Sequence, residues 1–143
     1  MASLYKEVGG LETLQRVHKI FYDKVYAHPW LGKFFAGHNQ VAIENRQTSF
    51  MAEKMGSPQK YLGKPIKQAH ENMYISPRLT ALRHQLLKAS LEEAGVPKPL
   101  ATRWLRIDQA FMQHVTKSSV ESFYRDYSFP YKQRIIIPEN EGE

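Results

Sequence analysis

The stretch FYDKVYAHPWLGKFF, Phe21 to Phe35, decides how this chain is to be read. Its first half continues a stripe begun by Leu11, Leu14 and Val17 and carried on by Phe21 and Val25, the spacing of one helix face. His28-Pro29 stops that helix, because proline disfavours the helical conformation in the residue before it. Trp30 to Phe35 then reads as a short aromatic turn. Tyr22 sets a phenol beside the apolar stripe, where tyrosine serves either a core or a pocket.

Working outward, the same period recurs between breakers, and no sustained alternation of period two suggests a sheet. A short helical piece over Ser3–Val8 ends at Gly9-Gly10. Asn39 is placed to cap a second long helix over Val41–Met55, which Gly56-Ser57-Pro58 closes. Tyr61–Pro65 is a loop, and a brief helix is expected around Ile66–Met73. Ser76-Pro77 opens the next helix, with Leu79, Leu82, Leu86 and Leu91 on its face and Gly95 at its end. Leu100, Trp104, Ile107, Phe111 and Val115 mark a last helix. The expectation is an all-α domain of about six helices over residues 1–124, followed by a Pro-containing extension, 125–143, expected to be loosely ordered.

Composition narrows the chemistry. At 143 residues and 42% hydrophobic, the chain suits one domain with a sizeable core. It has no cysteine, so any metal must rest on His, Asp, Glu or Tyr. No segment approaches the ~18 apolar residues of a membrane span and the N-terminus lacks a secretion signal, so no membrane partner and a cytoplasmic location are expected. The formal charge is +6, yet Lys and Arg are spread along the chain without a basic stripe, so nucleic acid is not an expected partner.

Two anomalies point to a site. The brief helix sets His70 in an apolar row with Ile66, Ala69 and Met73. By position alone that ring is either a hydrogen-bonded core residue or a metal ligand. The second long helix sets Gln47 among Ile43, Phe50 and Met51 at i, i+4, i+7 and i+8, and a buried amide needs partners. Together these describe an apolar slot with an imidazole on one side and two hydrogen-bond donors, Tyr22 and Gln47, on the other.

In order along the chain, VGG at Val8–Gly10, the Phe21–Phe35 run, MGSP at Met55–Pro58, YLGKPIKQAH at Tyr61–His70 and EEAGVP at Glu92–Pro97 make the sequence resemble the truncated haemoglobins, most closely group I, over roughly residues 4–121. The resemblance implies a two-over-two helical sandwich around one haem b per chain. It makes His70 the iron ligand, Phe35 the aromatic packed on the haem face, Ile43 the distal gate, and Tyr22 and Gln47 the distal donors and the catalytic pair. Arg46, Tyr61, Lys64 and Lys67 become candidates for the haem propionates, although a solvated surface role fits each of them equally. The implied ligands are dioxygen, carbon monoxide and nitric oxide. The implied reaction is oxidation of nitric oxide to nitrate, which needs a separate reductase because no flavin or nicotinamide segment is visible. A haem-based gas or redox sensor signalling through the C-terminal tail is the other class. The chain departs from the family's pattern at Arg83, which interrupts an apolar stripe and either points outward or reaches a buried acceptor, and at Met51, which stands where the family often has Phe.

Overall fold

Ser3 starts the first helix, α1 (Leu4–Val8), by accepting a hydrogen bond from the Lys6 N–H. Gly9 ends it with φ of 109° and Gly10 follows at 73°, left-handed backbone that glycine adopts without steric cost. The chain thereby turns directly into α2 (Gly10–Ala27). These features come from a computed structural model that describes residues 3–35, 37–58, 75–113 and 115–116. The helix expected around Ile66–Met73 and the extension 125–143 lie outside the described residues.

After α2 the chain makes a 3-10 turn, η1 (Leu31–Phe35), and then three long helices follow: α3 (Gln40–Lys54), α4 (Pro77–Glu93) and α5 (Lys98–Met112). Two of the starts are the ones expected. Asn39 caps α3 through the Ala42 N–H, and Ser76 caps α4 through the Leu79 N–H with Pro77 in the first turn. No strand occurs among the described residues. Helix α2 packs on α3 and on α4, and α4 packs on α5, so α2 and α3 form one layer over α4 and α5. Arg103 ties α5 to Glu7 of α1, and the Tyr5 N–H donates to Met55 at the end of α3.

The buried faces differ from the expected stripes in an informative way. On α2, Leu14, Val17, Phe21 and Val25 are buried as expected, but Leu11 is exposed, an ordinary fate for a single apolar residue. On α4 the seam runs Leu79, Arg83, Leu87 and Leu91 at strict i+4 spacing, and Leu82 and Leu86 are only half-buried beside it. The register question raised by Arg83 is therefore answered: the arginine lies on the seam and reaches a buried acceptor, Asp108. On α5 the seam is Trp104, Asp108 and Met112, with Ile107 and Phe111 on its flank. Ser90 is tolerated in this core because its hydroxyl donates to the Leu86 carbonyl. Met51, Met55 and Met112 are all buried, and no helix among the described residues is long and apolar enough to cross a membrane.

His18 joins the two long helices of the first layer. Its ring is 1% exposed, its Nδ1 lies 2.7 Å from the Thr48 hydroxyl on α3, and Trp104 meets it edge-on at 5.7 Å. Burial first, and the positive charge of Arg83 second, hold this imidazole far below its ordinary value of 6.5, at about 3. It is therefore neutral in the folded protein.

An unfolded chain takes up a proton at His18 near pH 6.5 while the folded one waits until about pH 3, so the unfolded state binds more protons in that window. Stability should fall as pH drops through it, at up to ~1.4 kcal/mol per unit. Denaturant melts across this range should show the slope, and His18→Asn, which keeps a polar partner for Thr48 without titrating, should flatten it. At Gly32 in η1 an added Cβ would lie 2.7 Å from the Tyr26 carbonyl oxygen. Gly32→Ala should thus cost about 1–3 kcal/mol in the same assay, as overpacking does.

Candidate functional site

Tyr22 occupies the centre of the first layer because helix α2 turns the same face to η1, α3 and α4. The phenol is 5% exposed. Phe21 meets its ring edge-on at 4.9 Å and Phe35 does so at 5.9 Å, which encloses it in aromatic edges and faces. Burial pushes its hydroxyl up to about 12, against the pull of the neighbouring Arg83 guanidinium, so the group keeps its proton throughout the physiological range.

Phe35 reaches Tyr22 because the chain reverses tightly after α2. The Nδ1 of His28 accepts from the Trp30 and Leu31 N–H groups at 3.1 and 3.3 Å, capping the turn that leads into η1. Half-buried Phe35 also packs on Tyr26 at 5.4 Å, and the Tyr26 hydroxyl donates to the His38 carbonyl in the loop before α3. Those contacts fix where α3 begins.

On α3, Ile43 and Gln47 lie one turn apart and are both half-buried, while Phe50 and Met51 are fully buried further along. Phe50 meets Phe111 of α5 edge-on at 4.8 Å. Arg46 is exposed. Thr48 and Ala52 are also buried, so α3 turns a broader face inward than the stripe through Ile43 and Gln47 suggested. Phe21 and Phe34 are buried core residues. Of the residues proposed from sequence, Tyr22 and Phe35 touch. Tyr61, Lys64, Lys67 and His70 lie outside the described residues.

Sequence reasoning left Arg83 open between an outward position and a buried acceptor, and it missed the acceptor, Asp108. Arg83 Nη1 lies 2.6 Å from Asp108 Oδ2, with side chains 16% and 1% exposed. The guanidinium carbon sits 5.2 Å from the centre of the Phe21 ring and 5.9 Å from that of Phe111. Burial disfavours the charge on Arg83, but the neighbouring Asp108 carboxylate and the Tyr22 phenol more than offset it and raise its affinity for the proton. The signal was present: Asp108 stands four residues from both Trp104 and Met112, on the most apolar face of its helix.

The family model of bacterial-like globins matches residues 3–117. A group 1 truncated hemoglobin from Mycolicibacterium paratuberculosis is 38% identical over 96 residues, 67% of this chain and 71% of that protein. Another from Synechocystis is 29% identical over 105 residues, 70% of this chain and 84% of that one. Among solved structures, the hemoglobin of the thermophilic phototrophic bacterium Chloroflexus aurantiacus aligns with a TM-score of 0.74 at 27% identity, covering 82% of this chain and 99% of that one. With its two layers of helices and an aromatic-lined phenol between them, this chain belongs to the bacterial-like globins, as a truncated haemoglobin of group 1.

Proposed function

We propose that this globin holds one haem b through His70 and binds dioxygen reversibly on the side lined by Tyr22 and Gln47. The observation that carries the reading is the buried, permanently protonated phenol of Tyr22 inside a shell of Phe21 and Phe35. The donor set suits haem on this side: apolar rings to pack on a porphyrin face, and hydrogen-bond donors that carry no charge of their own. Haem, when bound there, would supply an iron able to take up a diatomic gas.

The chain's own residues would then act as follows. Tyr22 holds a proton on its hydroxyl and donates it in a hydrogen bond to a ligand that gains negative charge, an interaction strengthened where water is excluded. Gln47 offers an amide N–H as second donor. Ile43, one turn away, limits access from the distal side, and Phe35 keeps the cofactor face dry. Arg46, Tyr61, Lys64 and Lys67 supply polar groups for the propionates. Arg46 is a poor iron ligand because guanidinium keeps its proton.

Such a site also supports oxidation of nitric oxide, in which nitric oxide, dioxygen and one electron give nitrate. The electron would come from a separate reductase. Carbon monoxide would compete for the same position, and a cytoplasmic location fits an electron supply of this kind.

Two variants test the reading. The His70→Gly protein should lose haem and regain it when imidazole is added, read by the return of the strong violet absorption band. Retention of a normal band without imidazole would reject His70 as the ligand. In stopped-flow mixing, Tyr22→Phe should release dioxygen about 10- to 100-fold faster, the worth of one hydrogen bond to a charged acceptor.

A further inference from the structure

We infer that the buried hydrogen bond between His18 and Thr48 is a positioning device for the ligand side of the pocket, holding α2 and α3 at the separation and register that aim Tyr22 and Gln47. The inference rests on the haem-binding reading above and deepens it by assigning the two residues that set its donors.

The donors and the tether are neighbours in the chain. Tyr22 stands one turn beyond His18 on α2, with ring centroids 6.4 Å apart, and Gln47 immediately precedes Thr48 on α3. His18 Nδ1 lies 2.7 Å from the Thr48 hydroxyl oxygen, and the two residues are 1% and 4% exposed. Whichever atom donates, the bond is directional, because a neutral imidazole offers one bare nitrogen and one N–H. Trp104 meets the ring edge-on at 5.7 Å from the second layer, so the imidazole is wedged as well as bonded.

Packing alone does not set the helix separation at this level. On the outer side of the bond, α2 and α3 part around a groove of about 360 Å³, lined by Gln15, Arg16 and Lys19 from α2 and by Glu44, Asn45 and Thr48 from α3. Further along, Asp23 of α2 accepts from the Gln40 amide of α3 at 2.7 Å, but that contact is exposed and water competes for both groups. The stretch carrying Tyr22, Ile43 and Gln47 therefore lies between an exposed tether and a buried one, and the buried one is the stiffer. Stability is a weak reason for a dry polar pair here, since replacing both partners by apolar groups of the same shape can be nearly neutral. A hydrogen bond fixes both distance and direction, which apolar contact does not. Aiming two donors at one small ligand needs that precision.

The test uses the haem-loaded protein. His18→Leu/Thr48→Val removes both polar groups while keeping the core filled, and His18→Asn keeps an amide where Nδ1 stood. The apolar pair should release dioxygen roughly threefold to tenfold faster, a partial loss of the hydrogen bonding that Tyr22→Phe removes outright. In the infrared spectrum of the carbon monoxide complex it should split or broaden the C–O band, because the donors then sample more than one position. His18→Asn should keep the wild-type release rate and band shape. On a Tyr22→Phe/Gln47→Leu background the apolar pair should change dioxygen release by less than about twofold, since its effect passes through those donors. Should the apolar pair fail to fold, Thr48→Val against Thr48→Ser asks the same question, the serine keeping the hydroxyl. Unchanged dioxygen release and an unchanged C–O band in the apolar variants would show that the bond only holds the fold together, whatever happens to the denaturant midpoint, and the inference fails while the haem site stands. If the wild-type protein takes up no haem, the functional reading fails and this inference falls with it.

Discussion

Polar groups buried on neighbouring turns of one helix must satisfy one another, because water does not reach them, and the rest of this structure is arranged around that constraint. Helix α2 carries His18 and Tyr22 four residues apart, and both are almost fully buried. His18 finds its partner in Thr48 of α3, and Arg83 of α4, lying over the Phe21 ring that packs on Tyr22, finds its own in Asp108 of α5. Two pairs of helices, α2 with α3 and α4 with α5, are thus tied by side chains whose separation would leave orphaned groups, each costing roughly 1–3 kcal/mol. Apolar burial drives the layers together, while these contacts choose the register in which they meet.

The same arrangement gives the first layer a graded polarity. Toward Trp104 the layer holds a neutral imidazole, and toward Phe35 it holds a neutral phenol. The full charges of Arg83 and Asp108 lie on the second layer, with the Arg83 guanidinium over the Phe21 ring that packs against the phenol. That ordering suits a site that binds neutral gases and stabilises whatever charge they draw from a metal.

Much of the fold was legible because helix ends are written in residues with stereochemical reasons to be there. Asn39, Ser76 with Pro77, Gly9 and Gly95 marked boundaries that the structure keeps to within a residue or so. The rows of Leu and Phe gave the faces correctly where burial follows hydrophobicity. They failed at Arg83 and Asp108, because a stripe read by hydrophobicity sorts charged residues outward, and the pairing that lets both enter the core spans two helices and 25 residues of sequence. His28 and His18 are not among the residues that mark the site in the sequence. His28 acts through a local cap, which the His-Pro before an aromatic turn could have suggested, and His18 lies four residues after Leu14 on the buried face. In the site, Tyr22 and Phe35 were readable from the motif they share. The Arg83–Asp108 pair was not, since no local pattern couples α4 to α5.

Sulfur chemistry is where the packing has its longest reach. A protein that handles oxygen works beside oxidants, and thioethers and thiols are the side chains that oxidants take first. This chain has no thiol, and three of its five methionines, Met51, Met55 and Met112, are 7% exposed or less. Met51, at the point where a Phe would be stiffer, is a deformable side chain whose sulfur the surrounding helices shield. Were that shielding opened, a sulfoxide would set a polar group into an apolar wall, so the packing that buries these sulfurs also guards the core against oxidation.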